Sequence, residues 1–479
     1  MSGVRSGIIY SSLSRYGLKI IALISSVLIA RLLSPVEIGT FAIASSLVML
    51  LAEVRLLGAS VYLVREQELT EDKIRNAYGL TIIMCWGIAF SIMGAAGYLA
   101  NFFEIIELEL VFIILAASFL FVPYISIPDA LLSRDYCFKA IMIIRVVPSI
   151  LQVFITLYFI HLGYSFYAIA WGHFIGMALQ MLLSLYLSRN YPVYLPKFNT
   201  IGEIAKLGLY SSLSNILRRT QFTASDLVIG KLGSPAQVGM FSRGMGFVDF
   251  VSQSFVDGIS PVVLPYLSEA KRKGLDIAVA YQKVSLLLVS IIWPVMAVGA
   301  VASLPAIRLL FGDQWDAAAP VASLLSVWVM LKAVHGFSNY ALLATGYEKI
   351  MLLKDLLVFL CLIPALILTF QYGLEAMACG FILSGVVDFL ASSYVMCSKL
   401  KLRFFKFCFS LLPALLTSIV CFLVTLFLDF WLVFSESSPL IVFLSIVLVL
   451  PCVWFFMVFF LKQPIYFEVS RLFSIFNKK

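Results

Sequence analysis

The sequence predicts an all-α integral membrane protein of about fourteen transmembrane helices. Two parallel six-helix repeats form two lobes, and a helix pair is appended at the C-terminal end. Three observations predict this. The first is composition: 62% of the 479 residues are hydrophobic and 13% are charged, against about 45–50% apolar and about 25% charged in soluble domains. Such a chain has too little polar surface to cover a water-soluble globule. The second is the continuity of the apolar runs, which reach the roughly 20 residues that a helix needs to cross the hydrocarbon core. A transmembrane barrel would instead show short alternating strands. The third is an internal repeat at a separation of two hundred positions.

The apolar runs fall near 11–33, 37–62, 77–99, 108–132, 140–161, 164–188, 206–230, 236–263, 282–304, 317–343, 349–371, 374–397, 407–429 and 439–461. The seventh and eighth are the least apolar and are retained because the repeat sets them opposite the first and second. Tyr10-Ser11-Ser12-Leu13-Ser14 recurs identically as Tyr210-Ser211-Ser212-Leu213-Ser214. In the same register Leu32, Ser34, Pro35, Gly39 and Phe41 recur as Leu232, Ser234, Pro235, Gly239 and Phe241. The shared Ser-Pro and Gly stand where one helix must stop and the next begin. Farther along, Ala130-Leu131-Leu132 and Tyr136 match Ala341-Leu342-Leu343 and Tyr347, and Ala168, Ala170 and Gly172 match Ala376, Ala378 and Gly380. Six spans separate the copies, so both insert the same way up, as in transporters whose halves are related by an axis along the membrane normal. The expected division is 1–200 for the first six-helix lobe, 201–400 for the second, and 401–479 for the appended pair and tail.

Loop charge sets the expected orientation. Arg65, Lys73, Arg75, Arg134, Lys139, Lys271, Arg272, Lys273, Lys399, Lys401 and Arg403 all follow even-numbered spans, whereas the alternate loops hold little beyond Arg31, Lys231 and Arg308. The positive-inside rule then puts both termini in the cytoplasm, and the net charge of +8 is mostly a matter of topology. No aromatic-and-basic soluble module points to nucleic acid. The first apolar segment is full length and lacks a clear cleavage site, so no cleavable signal peptide is expected. The eight cysteines lie in or beside apolar spans without metal-ligand or redox spacing and read as small buried hydrophobes. No phosphate-binding loop, His-Glu-x-x-His or Ser-centred elbow occurs, so neither ATP-driven pumping within this chain nor a catalytic residue is expected, and no metal site is.

What remains is charge inside the bilayer, where each ionisable group costs at least about 2.5–3.5 kcal/mol at a helix centre and therefore faces a cavity or a partner. Arg218, Arg219, Lys332, Arg55, Arg243, Arg145 and His335 are the candidate substrate-binding residues, because guanidinium and ammonium groups suit phosphate or carboxylate oxygens. Asp226, Asp249, Asp388 and Glu53 are the candidate ion-coupling carboxylates, chosen for their depth. Lys332, His335 and Asn339 share a helical face at i, i+3 and i+7. The plainer alternative for each is an ion pair between neighbouring helices. Gly172-x-x-x-Gly176 reads as a close helix contact, and His161 and His173 as interfacial or packing residues.

The chain resembles the polysaccharide-transporter branch of the multidrug, oligosaccharidyl-lipid and polysaccharide exporter superfamily, which includes the Wzx-type repeat-unit flippases. The resemblance rests on Ala30-Arg31-Leu32-Leu33-Ser34-Pro35 with Glu37, Gly39 and Phe41, and on Gly230-Lys231-Leu232-Gly233 with Val238-Gly239-Met240-Phe241-Ser242. The third motif is Leu310-Phe311-Gly312-Asp313-Gln314-Trp315 with Ala319-Pro320. It implies a multi-pass protein of the bacterial plasma (inner) membrane that is not an enzyme. By alternating access it would move an oligosaccharide repeat unit on polyprenyl pyrophosphate from the cytoplasmic to the outer leaflet, for O-antigen, capsule or exopolysaccharide assembly. It also implies coupling to a Na⁺ or H⁺ gradient with no other cofactor, and polysaccharide polymerase machinery as a partner. Two alternatives stand beside it. One is a small-molecule or drug cation antiporter of the same superfamily, disfavoured by the Arg- and Lys-rich spans. The other is a membrane enzyme acting on lipid-linked sugars, whose best support is the cluster Glu104, Glu107 and Glu109.

Overall fold

The computed structural model describes residues 2–53, 62–64, 66, 68–189, 191, 194–199 and 209–466. Among the described residues every regular element is helical. The long helices are α1 (Ser2–Leu32), α2 (Pro35–Ala52), α3 (Glu71–Phe103), α4 (Leu108–Arg134), α5 (Phe138–His161), α6 (Tyr167–Leu187), α7 (Leu209–Leu232) and α8 (Pro235–Arg272). They continue with α9 (Ile277–Val301), α10 (Ala318–Thr345), α11 (Glu348–Phe370), α12 (Leu374–Leu400), α13 (Phe404–Leu432) and α14 (Pro439–Phe460). Thirteen of them are long and apolar enough to cross a membrane. The remaining one is α7, whose Ser214, Thr220, Gln221, Thr223 and Ser225 are buried. A hydropathy window misses such a helix, and the repeat finds it.

Turn chemistry explains where the helices change. Ser34 caps α2: its hydroxyl accepts from the Glu37 N–H at 3.3 Å, and the Glu37 carboxylate accepts from the Ser34 N–H at 2.7 Å, with Pro35 in the first turn. This reciprocal box satisfies two backbone donors that a helix start leaves open. The second copy repeats it, with the Gln237 side chain accepting from the Ser234 N–H at 3.0 Å and the Ser234 hydroxyl from the Gln237 N–H at 3.4 Å. The fourth helix of each repeat is interrupted, by a 3₁₀ turn at Ser118–Phe121 in α4 and by a turn over 335–337 in α10.

The chain divides into two compact units, Met1–Gly239 and Met240–Lys479. Within the first, the Pro35 and Pro235 turns meet at their glycines. A Cβ on Gly39 would stand 1.7 Å from the Pro235 carbonyl oxygen, and one on Gly239 would stand 2.2 Å from that of Pro35. Only residues without a Cβ permit this backbone approach. The same unit packs α5 on α6 through Gly172 against Thr156 and Gly176 against Gln152, as the Gly-x-x-x-Gly spacing predicts. The segment at 194–199 lies along the start of α3. There the Lys197 amide donates to the Arg75 carbonyl at 3.1 Å and the Lys197 ammonium pairs with Asp72 at 2.6 Å, while Gly79 leaves room for the Lys197 carbonyl.

In the second unit α11 packs on α12 with Gly380 against Thr369, reproducing the Gly172–Thr156 contact at the position the repeat assigns to it. The third helices also correspond. The Trp86 indole in α3 donates to the Leu120 carbonyl at 3.2 Å, and the Trp293 indole in α9 donates to the Met330 carbonyl at 2.7 Å. The appended pair is tied to this unit by Gln282 to Ser410 at 2.9 Å and by the Trp454 indole to the Ser290 carbonyl at 3.0 Å. Arg308 grips Asp316 with two hydrogen bonds, at 2.9 and 2.7 Å, and donates to the Ser435 carbonyl ahead of α14.

Large apolar side chains such as Phe430, Tyr98 and Leu448 lie exposed on the helices, an arrangement that suits lipid and not water as solvent. One expectation needs correction here. Of the eight cysteines only Cys85 and Cys421 are buried, while Cys137, Cys379 and Cys452 are exposed. In a bilayer-facing surface a small hydrophobe need not be interior.

Candidate functional site

A buried polar cluster lies in the second unit, where α9, α10, α11 and α12 meet. The Lys354 side chain on α11 is only 5% exposed, and its ammonium stands 3.1 Å from Asp355 Oδ1, 3.2 Å from Ser338 Oγ and 3.6 Å from Asp388 Oδ1. Asp355 is steadied by the Asn339 amide, which donates at 2.9 Å, and Asp388 by the Ser392 hydroxyl at 3.1 Å. Lys332 adds a second positive charge to the surroundings of Asp388 and lies 4.7 Å from the centre of the Trp328 ring, one turn back. Buried charges persist only when paired and hydrogen-bonded, and here three helices supply the partners.

His335 stands at the opening in α10. Its Nδ1 is 2.8 Å from the Tyr281 hydroxyl and its Nε2 is 2.9 Å from the Ser393 hydroxyl, with Phe389 and Phe407 around the ring. The stripe of Lys332, His335 and Asn339 is therefore split by the turn at 335–337. Asn339 joins Lys354 through Asp355, while His335 bridges α9 and α12. Tyr281, Ser393, Ser338 and Asp355 were not singled out by sequence reasoning. A Lys-Asp dipeptide inside an apolar span was the available signal.

On α8, the Arg243 guanidinium carbon lies 5.3 Å from the ring centres of both Phe311 and Trp315, a cation–π arrangement. Trp315 is fully buried, so the Phe311-to-Trp315 motif forms the rest on which Arg243 lies. Next to it begins an apolar groove. One cavity of about 460 Å³ is lined by Phe247, Val251, Leu310 and Ile446. A second of about 360 Å³, lined by Phe255, Leu450 and Trp454, shares Val295, Val298 and Ile446 with the first. The groove thus runs along α8, α9 and α14. Arg243 is one helical turn from Phe247, which lines the groove, and its aromatic partner Phe311 adjoins Leu310, another lining residue. Asp249, half-buried on α8, holds the Ser252 hydroxyl through its backbone carbonyl at 3.1 Å.

The first unit carries smaller polar contacts. Ser46 on α2 donates to the Asp226 carboxylate on α7 at 2.6 Å, and Arg219 lies 4.0 Å from Glu53 and 3.6 Å from the Met49 sulfur. Arg218 is half-buried on the same helix. Arg145 on α5 pairs with Asp129 on α4 at 2.5 Å. Arg55 lies outside the described residues. Glu37, beyond its capping role, accepts from the Ser165 hydroxyl. In the Glu104, Glu107 and Glu109 cluster two of the residues have partners on other helices. Glu104 pairs with Lys231 at 2.8 Å, and the Glu107 backbone carbonyl accepts from the Tyr167 hydroxyl at 3.2 Å. Lys231 holds the Glu104 carboxyl below the usual carboxylate range.

This fold is shared with solved multi-pass membrane proteins. The solved structure of the lipid II flippase MurJ in its inward closed conformation superimposes with a TM-score of 0.75 at 15% identity, covering 95% of this chain and 99% of that one. An inward-facing multidrug resistance MATE transporter of the MOP superfamily gives 0.58 at 16% identity, covering 82% and 95%. Residues 28–320 match the family described as "Polysaccharide biosynthesis protein", and the chain belongs to that family. Among curated relatives, the teichuronic acid biosynthesis protein TuaB of Bacillus subtilis is 20% identical over 87% of each chain. The lipopolysaccharide biosynthesis protein WzxC of Escherichia coli is 20% identical over 78% of this chain and 77% of its own. The succinoglycan biosynthesis transport protein ExoT of Rhizobium meliloti is 22% identical over 66% of this chain and 64% of its own. The polysaccharide-exporter resemblance is thereby established.

Proposed function

We propose that this protein is a flippase that carries an oligosaccharide repeat unit on polyprenyl pyrophosphate from the cytoplasmic to the outer leaflet of a bacterial inner membrane. The observation that carries the reading is Arg243, set on Phe311 and Trp315 one helical turn from a residue that lines an apolar groove. A lipid-linked sugar needs that pairing, with a cation for phosphate oxygens beside a trough for its tail. Membership of the polysaccharide-biosynthesis family supports the sugar, and the names of the relatives support a role in surface polysaccharide assembly. Arg218, Arg219 and Arg145 of the first unit and Lys332 and His335 of the second remain the candidate substrate-binding residues in this reading, together with Arg55, which lies outside the described residues. Asp226, Asp249, Asp388 and Glu53 are the carboxylates through which a Na⁺ or H⁺ gradient acts. Both termini face the cytoplasm, as the loop charges require, and polymerase machinery takes the delivered unit.

The test is translocation of a lipid-linked oligosaccharide in proteoliposomes, with and without imposed ion gradients. Gradient-dependent movement is expected, together with its loss in the Arg218→Ala, Arg219→Ala double variant while insertion persists. Wild-type movement in that variant removes the two arginines from the path. Export of small organic cations without movement of the lipid-linked sugar favours the antiporter.

A further inference from the structure

The polar centre of the second unit has the composition of a cation cage with an amino group already inside it. The Lys354 ammonium has three N–H bonds, and three oxygens from separate residues surround it: Asp355 Oδ1, Asp388 Oδ1 and Ser338 Oγ, at 3.1, 3.6 and 3.2 Å. A fourth acceptor belongs to the same cluster. Asn339 gives its amide N–H to Asp355, and its own Oδ1 is buried with no hydrogen-bond partner, a condition that native structures rarely leave unexplained. Two carboxylates, a hydroxyl and an amide oxygen, drawn from α10, α11 and α12, make up an oxygen donor set of the kind that hard cations prefer.

We propose that this cluster is a site for a monovalent cation of sodium's class, held shut by Lys354 acting as a tethered counter-ion. The charge count supports this. Asp355 and Asp388 bring two negative charges, and Lys354 with Lys332 close to Asp388 brings two positive ones. An added metal cation would leave a buried excess of positive charge, which the bilayer interior penalises. The same oxygens without the ammonium would lack compensation and would recruit a cation from solution. Na⁺ therefore has no place in this cluster of the wild-type protein, where the position is reserved for the side chain, so a Na⁺ gradient would act through Asp226, Asp249 or Glu53 and not through Asp388. The consequence for energy coupling rests on the flippase reading, whereas the binding itself does not.

The experiment uses the full chain purified in detergent, with ²²Na⁺ as the probe and N-methylglucamine chloride replacing NaCl at constant ionic strength. Wild type is expected to show no saturable binding that depends on Asp355. Lys354→Ala is expected to gain one saturable site, lost again when Asp355→Asn is added. Lys354→Gln keeps most of the stem and offers an amide oxygen, so it serves as the second variant and is expected to bind likewise. Two results would overturn the proposal: saturable binding to wild type that Asp355→Asn abolishes, or folded Lys354→Ala and Lys354→Gln proteins with no site. Because binding is read without transport, failure of the flippase reading would appear in the proteoliposome assay alone.

Discussion

The cation on the fifth helix of each repeat is treated in opposite ways by the two units. In the first, Arg145 on α5 is 46% exposed and meets a single carboxylate, Asp129 on the neighbouring α4. In the second, Lys354 on α11 is enclosed by residues of α10, α11 and α12. Farther along the same helices, a Thr–Gly contact with the sixth helix recurs in both units. The packing of the fifth and sixth helices is thus shared by the two units, while the charge is half-exposed in one and enclosed in the other. A solvated pair contributes little to stability, and a buried one is costly to break.

The largest expected effect tests this contrast directly. Lys354→Met leaves Asp355 and Asp388 without their nearest cation and should destabilise the protein by about 3–5 kcal/mol, whereas Arg145→Met should cost only about 0–1 kcal/mol. Thermal unfolding in detergent reads both, and equal losses would erase the distinction. A smaller effect is expected where the units retain symmetry. Gly39→Ala and Gly239→Ala each force a methyl onto a proline carbonyl and should cost about 1–3 kcal/mol. Gly246→Ala, which meets open space, should be neutral or slightly favourable. Below these come Trp86→Phe and Trp293→Phe, each losing one indole hydrogen bond worth about 0.5–1.5 kcal/mol. Unequal losses would show that the two Trp contacts are not equivalent despite their matching places.

The weakest effect is electrostatic and sits at the end of α3. The Glu104 carboxyl is held below its ordinary range by Lys231, so its folded form binds a proton less readily than its unfolded form. The stabilisation is present above about pH 4 and disappears as pH falls through the lowered value. Wild type and Lys231→Met should therefore differ near neutrality and converge in acid, and they should also converge in high salt. A difference that survives acid would assign Lys231 to packing over the Phe102 ring, 5.0 Å away.

Much of the fold was legible because its turns demand particular chemistry. Ser34-Pro35 and Ser234-Pro235 announce helix starts, and their recurrence located α7 although Arg218, Arg219 and Asp226 depress its hydropathy. Glu37 stood in the recognised motif, but its capping role needed the Ser-x-x-Glu spacing to be read as a box. Trp86 and Trp293 went unmatched because their separation differs from two hundred by a few residues, and nothing local marks an indole that reaches another helix. The site was legible in part. Helical spacing set Lys332, His335 and Asn339 on one face, but a turn at 335–337 splits the stripe and sends His335 and Asn339 to different partners, and no proline there announces the break. The enclosure of Lys354 could not be seen, because its oxygens come from three helices.

The reciprocal seating of Gly39 and Gly239 also bears on synthesis. The Pro35 turn emerges early, yet the backbone that rests on it lies two hundred residues later in the chain. At the usual pace of about 5–20 residues per second, that partner follows by roughly 10–40 s. The first six helices must therefore wait in the bilayer with this seat open until α7 and the start of α8 arrive. An insertion factor that shelters polar helix faces would find its substrate in that interval, and a pause in translation near the repeat junction would lengthen it.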